Sequence, residues 1–374
     1  MQRIVKMQKT KFYSCRNKQL CRGCQLCVQG KKLVLFVTGL CSRNCFYCPL
    51  SERKKNKDRV WADEWEIKSD KDILEEARLC ESKGAGITGG DPFLRLGRTI
   101  KYIRMLKKRF GKKFHIHLYA PLMNVTENKL KRLHDAGLDE IRFHPKLDDN
   151  KLWYRVLLAG KFNWAKGIEI PIIPAYKKQT IGLIEYFKKN IDFFNFNELE
   201  FSDANAQNLA TLGMRTKDRM SYGVKGSEAL ALELMKKYPE LRIHYCTAKL
   251  KDKVQLANRL KRRAKNAAHD FDVVTKEGAL IRGAIYLDET KPGFGYRKKI
   301  SSIKNKKKVI EKLSKLKKKL ETEFGRKFLI DDFKYRILTD TLTVKKASKS
   351  FPNCALVEEY PTHDAMEVEL EFMS

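Results

Sequence analysis

From residue 32 to residue 201 the chain alternates short apolar runs with amphipathic stretches at helical spacing, and that alternation leaves few folds open. The run at 32–40, Lys-Leu-Val-Leu-Phe-Val-Thr-Gly-Leu, has the composition of a parallel strand buried on both faces. A helical pattern at 70–83, acidic in its opening turns, leads into Gly84-Ala-Gly-Ile-Thr-Gly-Gly90, a short strand ending in a glycine turn. The unit then repeats: helix 96–110, strand 114–119, helix 126–136, strand 140–144, helix near 151–158, strand 167–173, helix 180–191, strand 198–201. Six strands with helices between them predict an α/β fold with a parallel sheet. Right-handed crossovers curl such a sheet into a barrel or partial barrel, with ligands at the carboxyl ends of the strands.

A helix at 227–238, a strand at 242–245 and a basic helix over about 249–268 follow, and the pattern then changes. Residues 271–285 alternate like a hairpin around Lys276-Glu277-Gly278, and Pro292-Gly-Phe-Gly-Tyr296 is a turn-rich loop. Ile310, Leu313, Leu316, Leu320 and Phe324 mark one face of a lysine-rich helix, and short strands close the chain between 328 and 372. Three regions are therefore expected: a cysteine-rich segment at 1–31, a barrel core at 32–246 and a basic α+β extension at 247–374. The net charge of +33 favours polyanionic partners. Residues 247–326 hold 24 Lys and Arg against 9 Asp and Glu. Lys261-Arg262-Arg263 and Lys306-Lys307-Lys308 are the densest points, with Phe294 and Tyr296 between them able to stack on a base. RNA is the expected partner; a solvated helix face or a lysine-rich proteome would give the same composition.

No stretch approaches the roughly 18 apolar residues of a membrane span, and the first nine residues lack the apolar segment of a signal peptide, so the expectation is a cytosolic chain. In that compartment clustered cysteines point to metal or redox chemistry rather than disulfides. Seven of the ten lie between Cys15 and Cys48. Cys41-Ser-Arg-Asn-Cys45-Phe-Tyr-Cys48 puts three thiols on one tight loop directly after the first strand. Three thiolates leave one vertex of a [4Fe–4S] cube open to a chelating small molecule. A three-ligand zinc site and a redox thiol loop are the bland alternatives, although structural zinc normally takes two separated pairs.

The C-x3-C-x2-C spacing after the first strand, with Tyr47 just before the last cysteine, resembles the signature of radical S-adenosylmethionine enzymes. Thr88-Gly89-Gly90-Asp91-Pro92 stands where that family has a Gly-Gly-Glu-Pro turn, with Asp91 in place of the usual Glu. The resemblance covers about residues 32–245 together with the N-terminal cysteine segment, and implies a partial (βα)6 TIM-like barrel, a [4Fe–4S] cluster on Cys41, Cys45 and Cys48, and S-adenosylmethionine cleaved to a 5′-deoxyadenosyl radical. It implies that Tyr47 lies near the adenine and that the turn at Gly89, Gly90 and Asp91 meets the cofactor's amino group. Ribose contacts come from later strand ends, where His144, Glu169 and Asn205 are the candidates by position; structural or solvent-exposed polar roles are the alternative for each. Of His115 and His117, which alternate along one strand, one is expected to point inward. Gly23-Cys-Gln-Leu-Cys27 before Phe36-Val-Thr-Gly-Leu-Cys41, together with Gly86-Ile-Thr-Gly-Gly-Asp-Pro92, is similar to an archaeal branch related to pyruvate formate-lyase activating enzyme.

Cys15, Cys21, Cys24 and Cys27 form a second group, the last three with the C-x2-C-x2-C spacing of a bacterial ferredoxin run. An auxiliary iron–sulfur cluster, zinc or unliganded thiols remain open, with Cys15 or Cys246 as the fourth ligand. Three functions follow: a radical enzyme modifying tRNA or rRNA, one modifying a protein or peptide (glycyl-radical activation among them), or a non-catalytic metal protein that binds nucleic acid. Either enzyme needs a reductant such as ferredoxin or flavodoxin.

Overall fold

The structure is a computed structural model that describes residues 7–373, so the first six residues of the cysteine-rich segment lie outside it. Seven parallel strands run in sequence order through one sheet: β1 Lys32–Phe36, β2 Gly84–Thr88, β3 His115–Pro121, β4 Glu140–His144, β5 Ala165–Ile172, β6 Phe193–Glu198 and β7 Ile243–Cys246. The sheet does not close on itself. β1 is flanked by the antiparallel strand Trp61–Ala62, and β7 by the antiparallel strand Cys15–Arg16, so the barrel is partial. The seventh strand, read as a separate element after the six-unit barrel, pairs directly with β6.

One expected strand lies elsewhere. Residues 198–201 were the expected sixth strand, but Phe193-Phe-Asn-Phe-Asn-Glu198 forms it and residues 199–201 leave the sheet. Its alternation of Phe with Asn hides a two-faced strand: Phe194 and Phe196 pack outward against the helices, and Asn195 and Asn197 face inward.

The helices that cover the outer face follow from their sequences. α1 Arg22–Val28 is the exception, since it carries Cys24 and Cys27 and lies against the barrel interior. α2 Asp70–Leu79 opens on a capping box in which Ser69 and Asp72 satisfy each other's backbone donors. α3 Leu96–Phe110 and α4 Glu127–Asp135 bury Ile103, Leu106, Leu130 and Leu133 at helical spacing against β2–β4. α5 Lys177–Phe187 and α6 Ser227–Lys237 cover the later strands. The expected continuous basic helix over 249–268 is instead interrupted: residues Lys251–Leu256 are wound as a π-helix before α7 Ala257–Ala267 resumes. Such wide turns recur at functional sites, and Lys251 and Gln255 of this one face the barrel cavity.

The chain divides into two compact units, Met1–Arg259 and Leu260–Ser374. The division falls later than the expected boundary after residue 246 because residues 258 and 259 are pinned to the first unit. Asn258 Nδ2 donates to the Val28 carbonyl at 3.0 Å, and Arg259 pairs with Glu64 at 2.7 Å and with Asp63 at 3.5 Å. The N-terminal cysteine segment likewise belongs to the first unit, through the strand Cys15–Arg16.

The second unit is an antiparallel sheet in the order β9 Leu329–Asp331, β10 Arg336–Thr339, β8 Leu280–Tyr286, β11 Cys354–Glu359, β12 Glu367–Phe372. Helix α8 Lys306–Phe324 buries Val309, Leu313 and Leu320 against it, with Ile310, Leu316 and Phe324 at the margin, so the expected α+β extension and its apolar helix face are present. Lys306, Lys307 and Lys308 are exposed. Arg263 is a correction to the expected basic patch: it is buried, because on α7 it shares the inward face with Leu260 and Ala264. Phe294 is fully exposed, whereas the hydroxyl of Tyr296 donates to the Lys334 carbonyl at 3.0 Å and its ring packs on the sheet.

After β1 the chain lies against the turn that follows β2. Val37, Gly90 and Asp91 amides donate to the carbonyls of Thr88, Thr38 and Leu40 at 2.8 to 2.9 Å. A Cβ on Gly90 would stand 2.3 Å from the Leu40 oxygen, backbone against backbone, with nothing able to yield. Gly90→Ala is therefore expected to lower stability by about 1–3 kcal/mol in urea unfolding. Gly97→Ala, on α3 with open space around it, should raise stability by up to about 1 kcal/mol. Equal midpoints for the two variants would refute the close approach.

Candidate active site in the barrel

Strand pleating sends alternate residues of β3–β7 inward, and those residues are polar: His117 and Tyr119, Arg142 and His144, Glu169, Asn195 and Asn197, His244. Their neighbours Ile116, Leu118, Ile141, Phe143, Ile168 and Phe194 form the dry layer beneath the helices. The inner residues enclose a cavity of about 610 Å³ that reaches from the cysteine loop at the carboxyl ends of the strands down to α1. β2 makes room for them. A Cβ on Gly86 would stand 2.7 Å from His117 Nε2, and one on Gly84 would stand 2.9 Å from Lys32 Nζ.

Cys41, Cys45 and Cys48 all face this cavity from one loop. The Cys48 amide donates to the Cys45 carbonyl at 3.0 Å, which closes the turn, and the Arg43 amide donates to Cys41 Sγ at 3.4 Å. Burial raises the Cys41 thiol, and that amide opposes the rise. Three thiols on one cavity wall are a suitable donor set for an iron–sulfur cluster with one open vertex.

The side chains around the loop hold it in place. His144 Nδ1 lies 2.8 Å from the Glu169 carbonyl, which can only accept, so Nδ1 carries the proton and Nε2 accepts from the Tyr47 hydroxyl at 2.9 Å. Burial, followed by the charge of Arg43, pushes His144 down to about 4, so the ring is neutral. Arg43 Nη1 donates to the His144 carbonyl at 2.6 Å. Asn205 is buried and turned away from the cavity; its amide donates to the carbonyls of Tyr47 at 3.1 Å and Glu200 at 3.0 Å. Of the three positions expected at the ribose, His144 and Glu169 reach the cavity wall and Asn205 supports the loop from behind.

Gly89 and Gly90 line the cavity. Asp91 is fully buried and its carboxylate is occupied: it caps the following turn through the Phe93 amide at 2.9 Å and accepts from Asn124 Nδ2 at 2.6 Å and Ser42 Oγ at 3.3 Å. Its side chain thus ties the cysteine loop to the end of β2.

Sequence reasoning overlooked the polar floor. Arg142 is fully buried and pairs with Glu169 at 2.7 Å and with Glu140, whose Oε1 its Nε reaches at 2.7 Å. Burial alone would raise Glu140, but Arg142, His115 and Lys32 together hold it below its ordinary value. Lys32 Nζ donates to the Ala85 carbonyl at 2.8 Å and to His115 Nδ1 at 3.0 Å, which leaves Nε2–H of His115 directed toward Glu140 at 3.5 Å. The signal was present as period-two polarity in Glu140-Ile-Arg-Phe-His144 and in Asn195-Phe-Asn197. Both histidines of β3 are held inward; His117 is the one that faces the cavity.

Arg142→Ala would leave two carboxylates buried without their cation and is expected to cost about 3–5 kcal/mol in urea unfolding, whereas loss of the exposed Arg78–Glu75 pair should leave the midpoint almost unchanged. A small loss would mean the interior is flooded with water. Burial, then Lys32, lowers His115 to about 3; burial, then Arg142, holds His117 well below its ordinary value. Each is neutral when folded and takes a proton more readily when unfolded. Their contribution to stability is thus complete above about pH 6.5 and declines as pH falls toward the folded values, by up to about 1.4 kcal/mol per pH unit for each. A urea midpoint that stays constant from about pH 7.5 to 5 would contradict this.

Among the described residues no helix is long and apolar enough to cross a membrane. Residues 35–196 match the family model described as the Radical SAM superfamily. A Methanocaldococcus jannaschii protein, provisionally named a glycyl-radical enzyme activating enzyme, is 40% identical over 365 residues, covering 94% of this chain and 92% of its own. Among solved structures, methylornithine synthase aligns at 15% identity and a TM-score of 0.40, over 58% of this chain and 67% of that one. Coproporphyrinogen III oxidase from Escherichia coli aligns at 9% identity and a TM-score of 0.36. The family binds a [4Fe–4S] cluster and S-adenosylmethionine, and Cys41, Cys45 and Cys48 suit the first. With its cysteine loop, its partial barrel and a relative matched along nearly its whole length, the chain belongs to the radical S-adenosylmethionine superfamily of enzymes.

Proposed function

We propose that this enzyme acts on a protein, abstracting a hydrogen atom from a glycine of a partner in the manner of a glycyl-radical activating enzyme. The observation that carries this is the 40% identity, over nearly the full length of both chains, to a relative provisionally named for that activity. Cys41, Cys45 and Cys48 would hold the cluster, which, given one electron by a reductant, would split bound S-adenosylmethionine into methionine and the 5′-deoxyadenosyl radical that abstracts hydrogen.

The chain's own residues contribute position and shelter. Tyr47, fixed by His144 from one side and Asn205 from the other, places its ring beside the loop where the adenine of the cofactor is expected. The carbonyls of the turn at Gly89 and Gly90 are suited to accept from the cofactor's ammonium. Phe46 stands edge-on to Tyr47 at 5.0 Å and to Tyr176 at 6.1 Å, an aromatic group that keeps water from the loop. A glycine on an extended loop is the narrowest protein target for such a cavity. The positive surface suits an acidic one-electron donor such as ferredoxin or flavodoxin.

The RNA reading rests on charge: a net +33, the exposed Lys306, Lys307 and Lys308, and the exposed Phe294. One experiment separates the two. Reduced, reconstituted enzyme is given S-adenosylmethionine with either the protein or the RNA fraction of a cell deleted for the gene. Faster 5′-deoxyadenosine release with protein, together with an organic-radical signal on a polypeptide that protease abolishes, is expected. Stimulation by RNA alone, sensitive to ribonuclease, would sink the protein target.

A further inference from the structure

The cysteines of α1 have no part in the reading above, yet the fold carries two of them to the same cavity. Cys21, Cys24 and Cys27 are spaced three apart, so they follow one side of the helix. Cys24 and Cys27 face the barrel interior, and Gly23 between Cys21 and Cys24 lets α1 approach so closely that a Cβ there would stand 2.3 Å from Arg142 Nη2. From another wall β7 presents His244 and Cys246 to the same space. Cys15 does not join them. It pairs directly with Tyr245, whose side chain alternates to the outer face, and it is buried in the outer apolar core.

Two features of this group are unexplained by folding alone. His244 Nδ1 lies 2.7 Å from Asn195 Oδ1, which can only accept, so Nδ1 carries the proton and Nε2 is a bare lone pair. That Nε2 is buried and has no hydrogen-bond partner. An imidazole oriented by an amide through one nitrogen, with the other left free, is the arrangement of a metal ligand. Cys24 Sγ, 3.7 Å from the same Asn195 Oδ1, also accepts from Arg142 Nη2 at 3.5 Å.

We propose that Cys24, Cys27 and Cys246, completed by His244 Nε2, bind a second metal centre inside the barrel, and that it is an iron–sulfur cluster. Three soft sulfur ligands and one imidazole select zinc or iron–sulfur. The group is wider than the ligand shell of a single ion. Among the described residues, the ligand atoms that lie within 4.8 Å of one another, as a single ion requires, are those of Asp63, Glu76 and Cys80, where Arg259 stands 3.5 Å from Asp63 and opposes a cation. The barrel cysteines are not drawn together in that way, nor are Cys41, Cys45 and Cys48, whose family binds a cluster. The proposal does not depend on the identity of the target.

The test uses the full chain, prepared without oxygen, carrying Cys41→Ser, Cys45→Ser and Cys48→Ser. Iron and acid-labile sulfide equivalent to one cluster per chain should remain. Adding Cys24→Ser and Cys27→Ser should abolish both, and adding Cys15→Ser should not. Loss of all iron from the triple variant, retention after loss of Cys24 and Cys27, or zinc in place of iron would each overturn the proposal. Wild-type protein gives an independent reading should a variant fail to fold. After reduction it should show two cluster signals by electron paramagnetic resonance, only one of which shifts when S-adenosylmethionine is added. A single signal that shifts completely would refute the second centre.

Discussion

The guanidinium of Arg142 lies in the middle of a parallel barrel, where a lone charge could not survive, and much of the inner architecture follows from satisfying it. Glu140 and Glu169 reach it from β4 and β5, and Glu169 in turn accepts from Asn197 Nδ2 at 3.0 Å on β6. Lys32 of β1 fixes the His115 ring of β3, whose Nε2–H points to Glu140. Five strands are thus joined across the interior by groups that cannot move independently without leaving a buried charge unpaired. The glycines of β2 are the geometric counterpart, since side chains there would occupy the space these groups need.

That polar floor makes the barrel a rigid vessel rather than a dry core. The cysteine loop is held above it by three separate devices: the main-chain zipper to Gly90 and Asp91, the Tyr47–His144 hydrogen bond, and the Asn205 amide beneath Tyr47. Each ties the loop to a different part of the scaffold, at the ends of β2, at β4 and in the segment after β6. A site built this way keeps its donors in position before any cofactor arrives, which suits chemistry that depends on placing one hydrogen atom within reach of a radical.

The fold alone leaves the target open, because sites rather than scaffolds set substrates. Here the second unit matters. Its lysines are solvent-facing on α8, but Arg263 is turned inward and Tyr296 is tethered, so fewer of its groups are available to a polyanion than composition suggests. Excess positive charge is as well matched to an acidic redox donor as to a nucleic acid.

Much of this was legible in the chain. The strand–helix alternation, the cysteine loop after the first strand, the glycine turn after the second and the apolar face of α8 depend on neighbours a few residues apart, and local spacing is what a sequence records directly. The sixth strand at Phe193–Glu198 was misplaced because its inward residues are polar, which a rule expecting continuous apolar strands passes over. The meeting of Arg142 with Glu169 and of Asn205 with Tyr47, and the sharing of one cavity by Cys246 with Cys24 and Cys27, join residues 27, 158 and more than 200 positions apart. Only strand order and pleat decide such encounters, since which residues share a barrel wall depends on register between strands and not on any pattern within one of them.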